Sequence, residues 1–254
     1  VPRILSWPSL SAWFVTPFLA FGFFGCVAGP GGADIVANTL AMPASANVVG
    51  KSARFVPAPL RSGQWATYLV GANTPSPLVY TIKVLEEGDL PYSFWFEEEL
   101  ASSETRVVAR SQFLMDEARV AVANAREAES SGEAFAAVVT DYGRNVRTLV
   151  STNGASPIEV PRSDTPPGLF ILRTRAALFG GAEVSRPRQA KVRAGVYEGC
   201  FEASGTMTME GREGPMSGCL DPQVPVHGLI EGRDPLGRRW ELMAFGFAGA
   251  KSAL

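Results

Sequence analysis

Between residues 63 and 114 the chain uses one device four times: a short run of strand-forming residues closed by a cluster of turn formers. Gly63-Gln64-Trp65-Ala66-Thr67-Tyr68-Leu69-Val70 runs into the turn-rich stretch 71–77, and 78–85 follows with Leu78, Tyr80, Ile82 and Val84 on one face. Val79, Thr81, Lys83 and Leu85 take the other face, because successive side chains of a strand point to opposite sides. Glu87-Gly88-Asp89 makes the next turn, 92–100 a third strand and 105–114 a fourth. Strands joined by turns this short pair with their neighbours in antiparallel fashion, so the sequence predicts a meander.

These strands are unusual in carrying apolar or aromatic side chains on both faces: Trp65 against Tyr68, Val79 against Tyr80, and Trp95 against Phe94 and Phe96. A sheet with one wet face alternates cleanly. Apolar residues on both faces require a helix over one side, while the other side lines either a core or an apolar cavity. Trp65, Tyr68, Tyr80, Ile82, Phe94 and Phe96 are the candidate lining if the space is a groove for an acyl chain, since ligand sites are concave and mainly apolar. A closed core filled by the same side chains is the alternative.

The middle of the chain changes character. Residues 116–128 are rich in Ala, Arg and Glu without Gly or Pro, which suits a helix, and 131–141 reads as a second helix capped by Ser131. A strand is expected over 145–151, an irregular stretch over 157–167 and an undecided segment over 169–179. Strands resume at 190–196, 197–203, 206–210, 226–231 and 239–247.

The N-terminus reads as an export signal: one early cation, Arg3, then an apolar run over residues 14–24 closing on Gly25-Cys26. A run of about ten residues is half of the roughly 20 needed to span a bilayer. Gly25-Cys26 resembles the bacterial lipobox, in which a small residue precedes a cysteine that is acylated and becomes the new N-terminus. The Leu usual three residues before that cysteine is Phe23 here, and a signal cut nearby or an uncleaved anchor is the competing expectation. By the same resemblance, Val27 after the cysteine, rather than Asp, permits sorting to the outer membrane. The expected organisation is a signal over 1–25, a tether over 26–60 broken by Gly and Pro, and a single β-rich domain over 61–254. Within the tether, 34–40 has the composition for a helical turn.

Cys26 would be consumed by lipidation, which leaves Cys200 and Cys219 as an even pair in an oxidising compartment. A structural disulfide is expected between them, with two unpaired buried thiols as the alternative. The net charge of −2 lacks the basic footprint of a nucleic-acid binder.

Motifs for catalysis or metal binding do not assemble. Gly50-Lys51-Ser52 has Ser45 where a phosphate-binding loop needs glycine, and Pro57 and Pro59 interrupt the helix that should follow. His227 is the only histidine, so neither a His-rich zinc site nor a second base is available, and Ser217 does not fit a nucleophile elbow. Alternation sends Glu98 opposite to Glu97 and Glu99, so the three carboxylates do not converge and read as a solvated strand end. Asp221 and Asp234, each followed by proline, read as turn formers. No enzyme activity, metal or cofactor is expected.

Four segments resemble exported bacterial lipoproteins that share the half-barrel fold of the lipoprotein carriers LolA and LolB. Gly63-Gln64-Trp65-Ala66-Thr67-Tyr68 is similar to their G-x-W-x-x-Y opening, and Ala194-Gly195-Val196-Tyr197-Glu198-Gly199-Cys200 to their AGTF-x-C strand. Val224-Pro225-Val226-His227-Gly228-Leu229-Ile230 and Phe245-Gly246-Phe247-Ala248-Gly249-Ala250 are similar to their closing segments. Tyr197 and its neighbours replace the family's Thr-Phe pair, and the Ala-rich stretch 116–141 has no counterpart. The resemblance implies an α+β, mainly β fold: a strongly curved antiparallel sheet with a few helices packed on its concave side. It also implies a lipid or lipoprotein as ligand and the membrane, through the anchor, as partner. Most such relatives bring a fold rather than an activity, so the expected function is a non-enzymatic, lipid-anchored periplasmic protein. It either takes up an acyl chain or serves as a structural or protein-interaction module with a filled core.

Overall fold

The computed structural model describes residues 31–51, 61–87, 93–114, 144–160, 187–209, 212–226 and 228–254. The signal segment, Cys26 and Val27, the helices expected over 116–141, the segment 169–179 and His227 lie outside the described residues. The described elements are one helix, α1 (Gly32–Ala41), and twelve strands. These are β1 (Val48–Val49), β2 (Trp65–Val70), β3 (Leu78–Glu87), β4 (Ser93–Ala101), β5 (Arg106–Leu114), β6 (Arg144–Thr152) and β7 (Ile158–Val160). The remainder are β8 (Arg188–Val192), β9 (Gly195–Met209), β10 (Arg212–Leu220), β11 (Leu229–Arg233) and β12 (Arg239–Gly246). No described helix is long and apolar enough to cross a membrane.

The fold is mainly β, one open curved sheet in the order β1-β9-β10-β11-β12-β2-β3-β4-β5-β6-β7, with β8 paired to β9 off this path. Every pairing is antiparallel except the short parallel contact of β1 with β9. The expected meander is β2 to β5, extended by β6 and β7; β12 returns beside β2, so the two ends of the folded unit meet in the sheet interior. The strand β10 was not expected from sequence, because Gly214, Pro215 and Gly218 argue against one. It is tolerated because β11 pairs with β10 only from Ser217 onward, leaving Pro215 on an unpaired edge where no amide donor is needed.

The two faces of β2–β4 are both covered, as their double apolar pattern requires. On one face, Tyr68, Tyr80, Ile82, Val84 and Phe96 join Trp240, Leu242, Leu229, Ile230 and side chains of β8, β9 and β10 in the main core. On the other face, Leu69, Val79, Ala101 and Met243 form a second cluster under Val36 of α1, with Ile35 packed at its edge. The described helix therefore lies on the side away from the main core, while the segments expected to supply further helices, over 116–141, lie outside the described residues.

The tether expected over 26–60 is likewise shorter than its Gly and Pro content suggested. Asp34 sits in the first turn of α1, where a carboxylate opposes the positive end of the helix dipole. Gly32 admits the close approach of the β4–β5 turn, since a Cβ there would lie 2.4 Å from the carbonyl oxygen of Ser102. Pro43 ends the helix, and the Arg193 guanidinium donates to the carbonyl oxygens of Leu40 and Met42. Residues 32–49 thus belong to the packed fold.

The opposite end of that face is closed by residues 247–254. The Trp65 indole donates to the carbonyl oxygen of Ala248 (3.2 Å), Ala250 N–H donates to Gly63 O (3.0 Å), and Ser252 and Ala253 reach Glu97. This strap and α1 share the work of covering one sheet face.

Candidate functional site

Four of the six expected lining residues are brought together. Tyr68 and Ile82 are 0% exposed, Tyr80 4% and Phe96 5%, and all four belong to the main core. The rings close on one another: Tyr68 to Tyr80 at 6.3 Å, Tyr68 to Trp240 at 6.0 Å and Tyr80 to Trp240 at 5.5 Å between centroids. Such tilted and edge-on contacts are the favourable geometry for aromatic pairs. Trp65 is not with them, since it points to the strap side of β2. Phe94 lies in β4 opposite Phe113, and its side chain is outside the described part.

The three carboxylates of β4 diverge as alternation requires, but they are not a solvated strand end. Glu97 is 0%, Glu98 4% and Glu99 9% exposed. Toward the strap, Glu97 accepts from Lys83 Nζ (2.7 Å), Ser252 Oγ (2.6 Å) and Ala253 N–H (2.9 Å), and Glu99 accepts from Arg106 Nε (2.7 Å). Toward the core, Glu98 accepts from the Tyr80 hydroxyl at 2.6 Å. Burial, then the charge of Glu98 and the hydrogen bond to it, hold the Tyr80 phenol well above its ordinary value of 10.0. Local sequence could not supply these partners, which come from other strands and the far end of the chain.

Asp234 and Asp221 are turn residues as expected, and both are buried as well. Asp234 Oδ1 accepts from the amides of Leu236 and Arg238, while Oδ2 accepts from Arg238 Nε (2.7 Å) and Trp240 Nε1 (3.2 Å). Asp221 Oδ1 accepts from Gln223 N–H at 2.7 Å, whereas its Oδ2 and the buried hydroxyl of Tyr197 have no partner among the described residues. Burial raises both groups, and the charge of Asp221 raises Tyr197 further. The backbone around Asp221 is also constrained: its amide donates to Gly228 O, and Val226 has φ 66°.

Cys200 and Cys219 are joined as a disulfide between β9 and β10, with Cα atoms 5.6 Å apart. Closing a loop of this size restricts the unfolded chain and is worth about 3 kcal/mol. Next to it, outside the core, lies a cleft of about 600 Å³ over β9 to β12. Its ion pairs run in a chain: Arg188 to Glu202 (2.6 Å), Arg188 to Glu231 (2.7 Å) and Arg239 to Glu231 (3.3 Å). Glycines 218 and 232 pair across β10 and β11 between Ala203 and Trp240, in the row that faces the core, so only their backbone contributes to the cleft floor. Sequence reading missed this cleft because it did not expect β10. No cluster of three or more metal-ligating side chains is formed among the described residues.

No family model matches the chain, and no curated protein matches it. Among solved structures, an exported protein with a YmcC-like fold from Bacteroides fragilis is similar at 12% identity and a TM-score of 0.33 over 77% of this chain and 100% of that one. A lipoprotein from Parabacteroides distasonis is similar at 9% identity and a TM-score of 0.30 over 74% of this chain and 97% of that one.

Proposed function

We propose that this chain is a non-enzymatic module of the bacterial cell envelope, anchored through an acylated Cys26, with a filled core and a protein partner bound on its outer surface. The observation that carries this reading is the closure of Tyr68, Tyr80 and Trp240 on one another, with the Tyr80 hydroxyl bonded to Glu98. An acyl chain entering there would have to separate three rings in tilted and edge-on contact and break the Tyr80–Glu98 hydrogen bond. Both steps are costly: the ring contacts are lost, and a hydrogen bond to a charged group, worth about 1.5–3 kcal/mol, is broken inside the core. The apolar run ending at Gly25-Cys26 supports the anchor, and the disulfide fits an oxidising compartment. Val27 permits sorting to the outer membrane, where the module would face the periplasm.

Native mass spectrometry of the full chain, extracted from bacterial membranes in detergent, tests the reading. The expected mass is that of the processed chain with its covalent anchor and no further lipid, and Tyr80→Asp should fail to fold. A non-covalent lipid of defined mass, lost in a Tyr80→Asp variant that stays folded, would replace this reading with that of an acyl-chain carrier lined by Tyr68, Tyr80, Ile82 and Phe96.

A further inference from the structure

The strand registers place two parallel rows of side chains on the floor of the outer cleft. One row, beside the disulfide, holds Glu202 and Glu231, and Arg188 bridges them. The next row crosses four strands as Ser204, Ser217, Arg233 and Arg239, each directly opposite the next. Arg233 and Arg239 therefore face each other across β11 and β12 at the mouth of the 234–238 turn. Like charges directly opposite on neighbouring strands are destabilising. Only one of the pair is partly relieved, by the 3.3 Å contact of Arg239 with Glu231; Arg233 makes no ion pair with another described residue. The hydroxyls of Ser204 and Ser217 have no partner among the described residues either.

From this geometry we infer that the cleft is an oxyanion site, in which Arg233 and Arg239 clamp a phosphoryl group and the serine hydroxyls donate to its remaining oxygens. Guanidinium forks match phosphate and carboxylate alike. Two forks and two hydroxyls supply more donors than the two oxygens of a carboxylate take up, whereas a phosphoryl group presents three or four oxygens. The neighbouring row limits the ligand to a single such group, because Glu202 and Glu231 repel an extended polyanion. The phosphoryl group has two sources in an envelope, free phosphate and a lipid headgroup. This inference stands on the facing arginines alone and does not depend on the core being filled.

The test uses the full chain in non-ionic detergent, titrated with inorganic phosphate and separately with micelles doped with phosphatidylglycerol, and followed by NMR of phosphorus and by thermal unfolding. Wild type is expected to bind one probe with a Kd of about 1 mM or tighter. Arg233→Gln and Arg239→Gln should each weaken binding at least about tenfold, as the loss of a charge-assisted bidentate contact does. Arg61→Gln, outside the cleft, should leave binding unchanged. Arg233→Glu should abolish binding while raising the melting temperature, because it turns the repelling pair into an attracting one. Binding of phosphate assigns a soluble ligand, and binding of doped micelles alone assigns a headgroup. Absence of saturable binding to either probe by folded wild type, or equal binding by the wild type and both glutamine variants, overturns the site. Neither result bears on whether the core carries lipid.

Discussion

Tyr80 and Glu98 are joined diagonally across β3 and β4: Ile82 is the residue directly opposite Glu98, and the Tyr80 hydroxyl reaches past it to donate to Oε1 at 2.6 Å. The bond fixes the tyrosine ring against Trp240 and gives a carboxylate inside an aromatic core a charge-assisted donor. The same bond couples the stability of the core to alkali.

Tyr80→Phe should cost about 1.5–3 kcal/mol, the range for a hydrogen bond to a charged group, because the carboxylate keeps its burial and loses this donor. The phenol is raised in the folded state relative to its ordinary value of 10.0. Its contribution is therefore fully present below pH 10 and is lost as pH rises toward the folded value. Urea midpoints measured from neutral pH upward should fall above about pH 10 in wild type, with a shallower fall in Tyr80→Phe. Equal midpoints at neutral pH would mean that the bond carries no net stability.

Glu97 acts as the latch for the strap. It is fully buried, and its oxygens collect Lys83 Nζ, Ser252 Oγ and the Ala253 amide. Glu97→Ala removes one partner of a buried ion pair, a change that costs about 3–5 kcal/mol; Lys83 keeps Glu99 at 3.4 Å, which places the expected loss at the low end. Ser252→Ala removes the 2.6 Å hydrogen bond to Glu97 and the exposed contacts of the same hydroxyl with Leu254, and should cost about 1 kcal/mol, since the exposed contacts are replaced by water. Hydrogen exchange at the Ala253 amide checks both: protection should vanish in Glu97→Ala and fall only partly in Ser252→Ala. An amide equally protected in all three proteins would sink the latch.

The sheet was legible where pairing is local. The turns at 71–77 and at Glu87-Gly88-Asp89, with alternation between them, placed β2, β3, β4 and β5 within a few residues of their observed limits. The helix over α1 was legible only as a turn, since its stability comes from Val36 resting on Leu69, Val79, Ala101 and Met243, which are distant in sequence. The burial of Glu97 and Glu99 was hidden for the same reason: Lys83, Arg106 and Ser252 reach them from other elements. Position β10 was hidden by its own Gly and Pro content. The facing arginines of the cleft were within reach, because the Asp234-Pro235 turn already implied that Arg233 and Arg239 close a hairpin.

Val226 and Val224 make an internal control for backbone strain. They are equally buried, at 2% and 1%, but Val226 holds φ 66°, where a β-branched side chain is crowded. Valine to glycine at either site loses similar apolar burial and gains similar freedom in the unfolded chain. Only at position 226 does it also relieve the left-handed conformation, which costs about 1–2 kcal/mol for a residue with a Cβ. Val226→Gly should therefore be less destabilising than Val224→Gly by about that amount in paired denaturant titrations. Equal losses at the two sites would show that the loop relaxes its strain in solution.

Asp221 leads into the same loop from the end of the disulfide-bonded strand. Its Oδ1 is satisfied by Gln223, while Oδ2 is buried without a partner among the described residues, so burial favours the protonated acid and raises it from 3.8. A group raised on folding contributes stability that is complete below its unfolded value and is lost as pH rises through its folded value. Asp221 therefore works for the fold in acid and against it at neutral pH. Asp221→Asn keeps an acceptor for Gln223 and cannot ionise, so it should match or exceed wild type at pH 7, by up to about 1 kcal/mol. It should also lack the part of the stability decline that wild type shows from about pH 4 upward. The check is a set of thermal or urea midpoints for both proteins across that range, with Asp234→Asn as the contrasting variant: Asp234 takes two side-chain donors on Oδ2, and its loss should destabilise at pH 7. An Asp221→Asn protein that is less stable than wild type at pH 7 would show that the carboxylate is ionised and needed in the fold.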